Sequence, residues 1–321
     1  MNEERSLKRV LLNYSNIFVL VLAMILLFAI IGRIQPAFLK PFYVMSQLTF
    51  VAETSLIGLG MTLVILMGCI DLSVGSMMAL SCVVLGMLCE AGVPSVIAVI
   101  LTLLLGAVCG FLNGFLVCNM NVAPLIVTLG TMGLYRGIAM GTTGGNAKKI
   151  ASDLYFLGSG KIGNLPISMI IAVALYLVAL FVVHRTNMGM RIKMIGYNSE
   201  ASRFAGVSVN RDKIKVYIIS AMLASLMGII YSARVTSAKA DYGSNYEMNA
   251  ITIAVFGGAV LSGGKASILG SFIATIIIVL LKQGLTLIGI QSDIQAVIVG
   301  LILIFAVAFN TFVNNTIKKI S

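Results

Sequence analysis

Two short stretches interrupt hydrophobic runs with residue types that could do chemistry. In the first, GCIDLSVGS (Gly68–Ser76), Asp71, Ser73 and Ser76 sit among glycines. Non-helical backbone at membrane depth persists only where protein or a water-filled cavity satisfies it, and an ionisable residue there is a functional candidate. Two readings of Asp71, Ser73, Gly75 and Ser76 stand side by side. One is a translocation pathway or gate; the other is a turn or N-cap at the interface, ahead of a new helix from Val74. The second stretch, FGGAVLSGGKAS (Phe256–Ser267), resembles a phosphate loop at a glance. The pattern fails, because such a loop needs Gly five positions before the Gly of its Gly-Lys pair and Ser or Thr after the Lys. Ala259 and Ala266 stand there instead. Nucleotide binding is thereby excluded, and Gly263, Gly264 and Lys265 read as part of a broken helix near one membrane face, again in a pathway or gate.

Other reactive residue types are scattered. A single His184 cannot build a metal site or a triad. Cys69, Cys82, Cys89, Cys109 and Cys118 lie in or beside apolar blocks without metal spacing, as small core residues do. Glu53, Arg136 and Lys282 fall inside expected spans. They are too few for a proton relay, and each snorkels, pairs or faces a wet lumen. No nucleophile and base pair emerges, so no metal, cofactor or catalytic role is expected.

The elements that must position these residues are membrane helices. The chain is 59% hydrophobic and 10% charged, with a mean hydropathy of +1.05, against roughly 25% charged residues in soluble domains. Apolar blocks near the length of a bilayer-spanning helix recur along it. The net charge of +11 gathers at Arg5–Arg9, Arg185–Lys215 and Lys318–Lys319. It reads as topology, and without interleaved aromatics it does not point to nucleic acid. The first apolar block has no small-residue cleavage site, so no cleavable signal is expected.

The chain is predicted to be an all-α polytopic membrane protein of about ten transmembrane helices with broken or re-entrant segments. Spans are expected at Asn16–Ile31, Tyr43–Cys69, Met77–Cys89, Ser95–Cys118, Val122–Met140, Ile167–Val183, Ile214–Ala233, Asn249–Leu261, Ile268–Ile290 and Ala296–Phe312. The eighth is too short to cross comfortably. Gly106, Gly110 and Gly114, at four-residue spacing, suit close helix approach, either within the chain or at a subunit interface. Thr62 to Gly68 and Thr252 to Gly258, each followed by Leu-Ser-x-Gly, hint at an internal repeat with a one-residue offset. Ten spans place thirteen Lys and Arg on the side of both termini and seven on the other. Both termini and the 184–215 segment are therefore expected to be cytoplasmic.

That segment is longer than a connection needs. Within it a short helix has both ends marked. Asn198 and Ser199 are N-cap residues, Glu200 suits the first turn, Arg203 the last, and Gly206 the left-handed stop. Ala201, Phe204 and Ala205 share a face, with Glu200, Ser202 and Arg203 turned elsewhere. A two-turn helix needs packing to persist. A docking element and a solvated surface turn are both compatible with the composition.

Three segments also carry a resemblance. TLVILMGCIDLSVGS (Thr62–Ser76), IGYNSEASRFAGVSVNRDKIKV (Ile195–Val216) and AVFGGAVLSGGKASILGS (Ala254–Ser271) resemble, in order, three motifs of bacterial sugar-type ABC importer permeases. These are membrane subunits for ribose, xylose, arabinose, galactose, rhamnose and the furanose-like signal autoinducer-2. LTLLLGAVCGFLNGFLV and VTLGTMGLYRG look close to the autoinducer-2 and rhamnose branches. The resemblance covers nearly the whole chain. It implies one transmembrane permease domain, residues 1–321, in the bacterial inner membrane, non-catalytic and without a cofactor. It also implies a second permease subunit, identical or a paralogue, a cytoplasmic ABC ATPase and a periplasmic sugar-binding protein. Residues 184–215 become a cytoplasmic coupling loop, and Asn198–Gly206 the ATPase-coupling element. Many members have Ala where this chain has Ser202; a small residue is kept. The rival reading, an ion-coupled secondary transporter, requires a cluster of intramembrane acids, where only Glu53 and Asp71 are available.

Overall fold

The computed structural model describes residues 20–22 and 24–320, with side chains through Ala308. The basic N-terminal segment with Arg5, Lys8 and Arg9, and the start of the expected Asn16–Ile31 span, lie outside the described residues. So do the side chains of Lys318 and Lys319.

Helix α1 (Leu20–Ile34) leads through a 3-10 turn, Pro36–Leu39, into α2 (Pro41–Leu66). Pro41 opens α2, where its fixed φ suits the first helical turn. After the Gly68 break come α3 (Val74–Glu90), α4 (Ser95–Asn119) and α5 (Pro124–Thr143). A surface excursion holds β1 (Lys148–Lys149), the short α6 (Tyr155–Ser159) and a hairpin of β2 (Lys161–Ile162) with β3 (Leu165–Pro166). Then follow α7 (Ile167–Arg185), α8 (Asn187–Tyr197), α9 (Ser199–Phe204) and α10 (Val209–Val235). The chain closes with β4 (Ser237–Ala238), α11 (Tyr246–Phe256), α12 (Ile268–Leu287) and α13 (Ser292–Ile320).

Among the described residues, five helices are long and apolar enough to cross a membrane: α2, α4, α7, α10 and α12. Burial sorts four of them. The apolar windows of α2 and α10 are 78% and 72% buried and form the axis of the bundle, whereas those of α4 and α7 are 33% and 28% buried and face outward. The glycine stripe on α4 explains how the axis closes. A Cβ at Gly110 would lie 2.6 Å from the Tyr217 carbonyl oxygen, and one at Gly114 would lie 2.8 Å from Ile214 Cα. The stripe thus serves packing within the chain, against α10.

Packing partners repeat along the chain. α10 lies on α3 and α4 as α2 lies on α11 and α12, and α3 meets α5 as α11 meets α13. The repeating sets are therefore α2–α5 and α10–α13. The Thr62/Gly68 and Thr252/Gly258 motif does not coincide with it, since Gly68 follows α2 and Gly258 follows α11. In this arrangement α2 corresponds to α10.

Two poles result. At one, β1 pairs antiparallel with β4, Lys148 Nζ lies 3.0 Å from Glu90, and Ser95 donates to Asp153 at 2.7 Å. At the other lie the ends of α2, α4 and α8, the start of α10, and α9. α3 and α11 both begin midway: a Cβ at Gly75 would collide with the Gly243 carbonyl oxygen and the Glu247 carboxylate. The two helices then run to opposite poles. At about 1.5 Å per residue, the 11 residues of α11 fall well short of a hydrocarbon core of about 30 Å. Its helix spans Tyr246–Phe256 rather than the expected Asn249–Leu261, because backbone turns at Gly257 and Gly258 end it early.

Candidate functional site

The 184–215 segment is almost wholly helical. Thr186 caps α8 by accepting from the Gly189 amide at 3.4 Å, and α8 buries Ile192, Ile195 and Gly196. The sequence does not announce this helix, because its apolar residues alternate with Arg191 and Lys193 and no long apolar block marks it. Asp212, in the first turn of α10, is 1% exposed and holds α8 in place. It accepts from Arg191 Nε at 2.8 Å, and Lys215 lies 3.9 Å away. The available signal was that Asp212 and Glu200 are the two acids in a basic segment.

α9 has the expected ends. Asn198 Oδ1 accepts from the Ala201 amide at 2.9 Å, while Ser199 Oγ turns back to donate to the Ile195 carbonyl. Gly206 adopts φ +81°, the Gly206 amide donates to the Arg203 carbonyl, and the Val207 amide donates to the Ser202 carbonyl. These two bonds satisfy orphan carbonyls in a Schellman motif. Its orientation is inverted relative to a surface helix. Ser202 is buried and donates to the Asn198 carbonyl at 2.8 Å, whereas Ala201, Ala205 and Phe204 face outward, Phe204 being 93% exposed. Glu200 and Gly206 are exposed as well. Arg203 reaches Asn210 at 3.3 Å, and Asn210 donates to the Cys118 carbonyl at 2.9 Å, which ties α9 to α10 and α4.

The two interruptions meet just behind this helix. The Gly264 amide donates to the Leu66 carbonyl at 2.9 Å. A Cβ on Gly263 would lie 2.6 Å from the Gly68 nitrogen, and one on Gly264 would lie 2.7 Å from the Tyr197 ring. Gly196, near the end of α8, sits so close that a Cβ there would collide with the Leu66 carbonyl and the Gly264 amide. The ends of α2 and α8 and the turn before α12 therefore meet through glycine backbone. Lys265, next in sequence, is exposed.

Asp71 and its neighbours lie on the other side of Gly68. Asp71, 1% exposed, accepts from the Ser73 amide at 2.9 Å and the Ser73 hydroxyl at 2.6 Å. Asn113 of α4 donates to Ser73 Oγ at 2.9 Å, and Tyr135 of α5 donates to Asn113 Oδ1 at 3.0 Å. Asp71 is a turn residue in its geometry, but a buried one, knitting the break to α4 and α5. Ser76 is buried on α3, and Gly75 stands at the contact with α11. The candidate residues thus form two groups, Asp71–Ser73 with Asn113 and Tyr135, and Gly263–Gly264 with Gly68 and Gly196.

The remaining charges divide by partner. Glu53 holds Arg234 through a forked pair at 2.5 and 3.0 Å. Arg234 belongs to α10 rather than to an outer turn, and its guanidinium lies 4.6 Å from the Phe50 ring centre. Arg136 donates to the Ala240 and Tyr242 carbonyls at 2.5 and 2.7 Å. These partners are out of reach of sequence spacing. Lys282 has no ion pair or side-chain hydrogen bond among the described residues.

The chain is 37% identical to the ribose import permease protein RbsC of Bacillus subtilis, with 89% of this chain and 90% of that protein covered. It is 36% identical to the ribose import permease protein RbsC of Escherichia coli K12 over 89% and 91% of the two chains. To the autoinducer 2 import system permease protein LsrD of Yersinia enterocolitica it is 36% identical, over 78% of each. No solved structure matches it. Residues 43–307 match the family described as branched-chain amino acid transport system / permease component, and the chain belongs to that family.

Proposed function

We propose that this chain is the membrane-spanning permease subunit of an ATP-binding-cassette importer that moves a monosaccharide or furanose-like sugar of the ribose, rhamnose or autoinducer-2 type. Relatives at 33–37% identity named as ribose and autoinducer 2 import permeases support the substrate class. In this reading the chain performs no chemistry. ATP hydrolysis in a cytoplasmic partner moves α9, and the helices rock to open a central path to each side in turn. About ten helices cross the bacterial inner membrane, with both termini and α9 on the cytoplasmic side, in keeping with the excess of Lys and Arg there. A second permease subunit and a periplasmic sugar-binding protein complete the assembly. The ion-coupled alternative loses an acid, since Glu53 is engaged by Arg234.

The observation that carries the proposal is the outward apolar face of α9. A helix that buries Ser202 and presents Phe204 to solvent offers an anchor for a pocket on a partner. Motion received there has a short route inward, because α8 and α9 adjoin the glycine junction that joins both interruptions. Gly263, Gly264 and Lys265 then act with Asp71, Ser73, Gly75 and Ser76 as the gate. The test is Phe204→Asp. It abolishes sugar uptake and coupled ATP hydrolysis while the subunit still inserts; normal uptake in that variant overturns the docking role.

A further inference from the structure

Most hydroxyls inside the helices spend their hydrogen bonds on their own backbone. Thr62, Thr102, Thr131 and Thr275 each donate to the carbonyl four residues earlier, at 2.7 to 3.0 Å. Single buried hydroxyls such as Ser81 and Ser220 depart from this habit, and in one place several polar side chains depart from it together. Between α2, α11 and α12 lies a cleft of about 60 Å³, lined by Phe50, Thr54, Tyr246, Asn249, Lys282 and Gln283. Among the described residues, the five polar side chains of this set make no hydrogen bond to protein. Polar groups inside a bundle are costly unless partnered by protein or by something else. Five such groups converging on one cavity define a site with unspent bonding capacity.

The charge balance narrows what fits. Glu53 precedes Thr54 on α2, but Arg234 engages its carboxylate. The cleft therefore carries one positive charge among four neutral polar side chains, with the Phe50 and Tyr246 rings as walls. This mixture of hydroxyl, amide and ammonium groups beside aromatic surface suits a solute that offers several hydroxyls on an apolar frame. The volume accommodates a few water-sized groups, enough for one edge of a sugar ring.

We propose that this cleft is a contact site for a polyhydroxylated solute of the monosaccharide class, with Lys282, Asn249 and Thr54 hydrogen-bonding its hydroxyls and Tyr246 bounding its apolar face. The assignment rests on the import reading above and places solute contact on side chains outside both glycine-rich interruptions.

The test uses the complete transporter, reconstituted in liposomes with its ATPase and binding protein, and D-ribose as the probe. Lys282→Met lowers uptake by about tenfold, the effect of losing one hydrogen bond to a charged group, and Lys282→Arg recovers part of it. Co-purification with the ATPase reports that both variants fold. Independently, Asn249→Cys reacts with a membrane-impermeant thiol reagent, and millimolar D-ribose or L-rhamnose slows the reaction at least threefold. Unchanged uptake in Lys282→Met, or a Cys at 249 inert to the aqueous reagent in every nucleotide state, overturns the site. If the native transporter moves neither sugar yet either sugar still protects the Cys at 249, the site stands and the import reading falls.

Discussion

In α9 the side-chain hydrogen bonds close over three, four and seven residues, from Asn198 to Ala201, Ser202 to Asn198 and Arg203 to Asn210. In the interior, the forked bond from Arg234 to Glu53 closes over 181 residues, and that from Asn113 to Ser73 over 40. The contrast separates a part that can move from a part that must hold. A helix whose caps are its own neighbours can shift as a unit without losing a cap. The interior contacts exist only when the whole chain has closed, and they keep two irregular segments fixed inside a helical bundle. Four substitutions probe this division, in order of decreasing effect.

Glu53→Ala strikes the longer of these two interior connections. It leaves the partly buried Arg234 guanidinium against Phe50 and Tyr231 without its carboxylate. Removing one partner of a fully buried pair costs about 3–5 kcal/mol, and the partial exposure of Arg234 sets the loss at the low end, about 3 kcal/mol. Thermal unfolding of the purified chain should show a loss of that order, with Glu53→Gln milder because a hydrogen bond survives. A loss well under about 1 kcal/mol would mean that the pair does not bind α2 to α10.

Gly196→Ala comes next. Its Cβ meets backbone on two sides, Leu66 and Gly264, neither of which can rotate away. Overpacking of this kind costs about 1–3 kcal/mol. In the importer proposed here, uptake should fall further than unfolding alone accounts for, since the junction adjoins α9. Asn113→Ala has a smaller effect. It removes two interhelical bonds, to Ser73 and from Tyr135, each worth about 0.6 kcal/mol in bundles of this kind. A loss near 1 kcal/mol in the same measurement is expected, and none at all would leave the Asp71 turn independent of α4 and α5.

What could be read in advance follows the same line. The caps of α9 were legible because Asn198 and Gly206 act on amides a few residues away, and caps are a local code. The ends of α4 and α7 were legible to within two or three residues, because apolar runs with Pro or polar borders mark them. α8 was hidden because its buried face, Ile192 with Ile195 and Gly196, is short and interleaved with basic residues. The partners of Glu53, Arg136 and Ser73 were illegible for a stronger reason. Each is chosen by how helices cross, and nothing at positions 53, 136 or 73 names a residue 181, 104 or 40 positions on. The glycines at 68, 196, 263 and 264 were visible as breakers, but their meeting was not.

Asn198→Ala gives the smallest effect and the sharpest comparison. The substitution deletes the side-chain acceptor of the Ala201 amide, while Ser199 Oγ is already committed to Ile195 and cannot replace it. Loss of such a cap costs about 1 kcal/mol, which corresponds to about a fivefold fall in hydrogen-exchange protection of the amides it serves. Because the Asn198 cap serves only an amide three residues on, that fall should be confined to the first turn of α9, with the unfolding temperature of the whole chain unmoved. A shift as large as that of Glu53→Ala would show α9 to be a structural member of the bundle. The movement attributed to it would then have to break interior contacts, and α8, clamped by Arg191 and Asp212, would be the better candidate for the moving part.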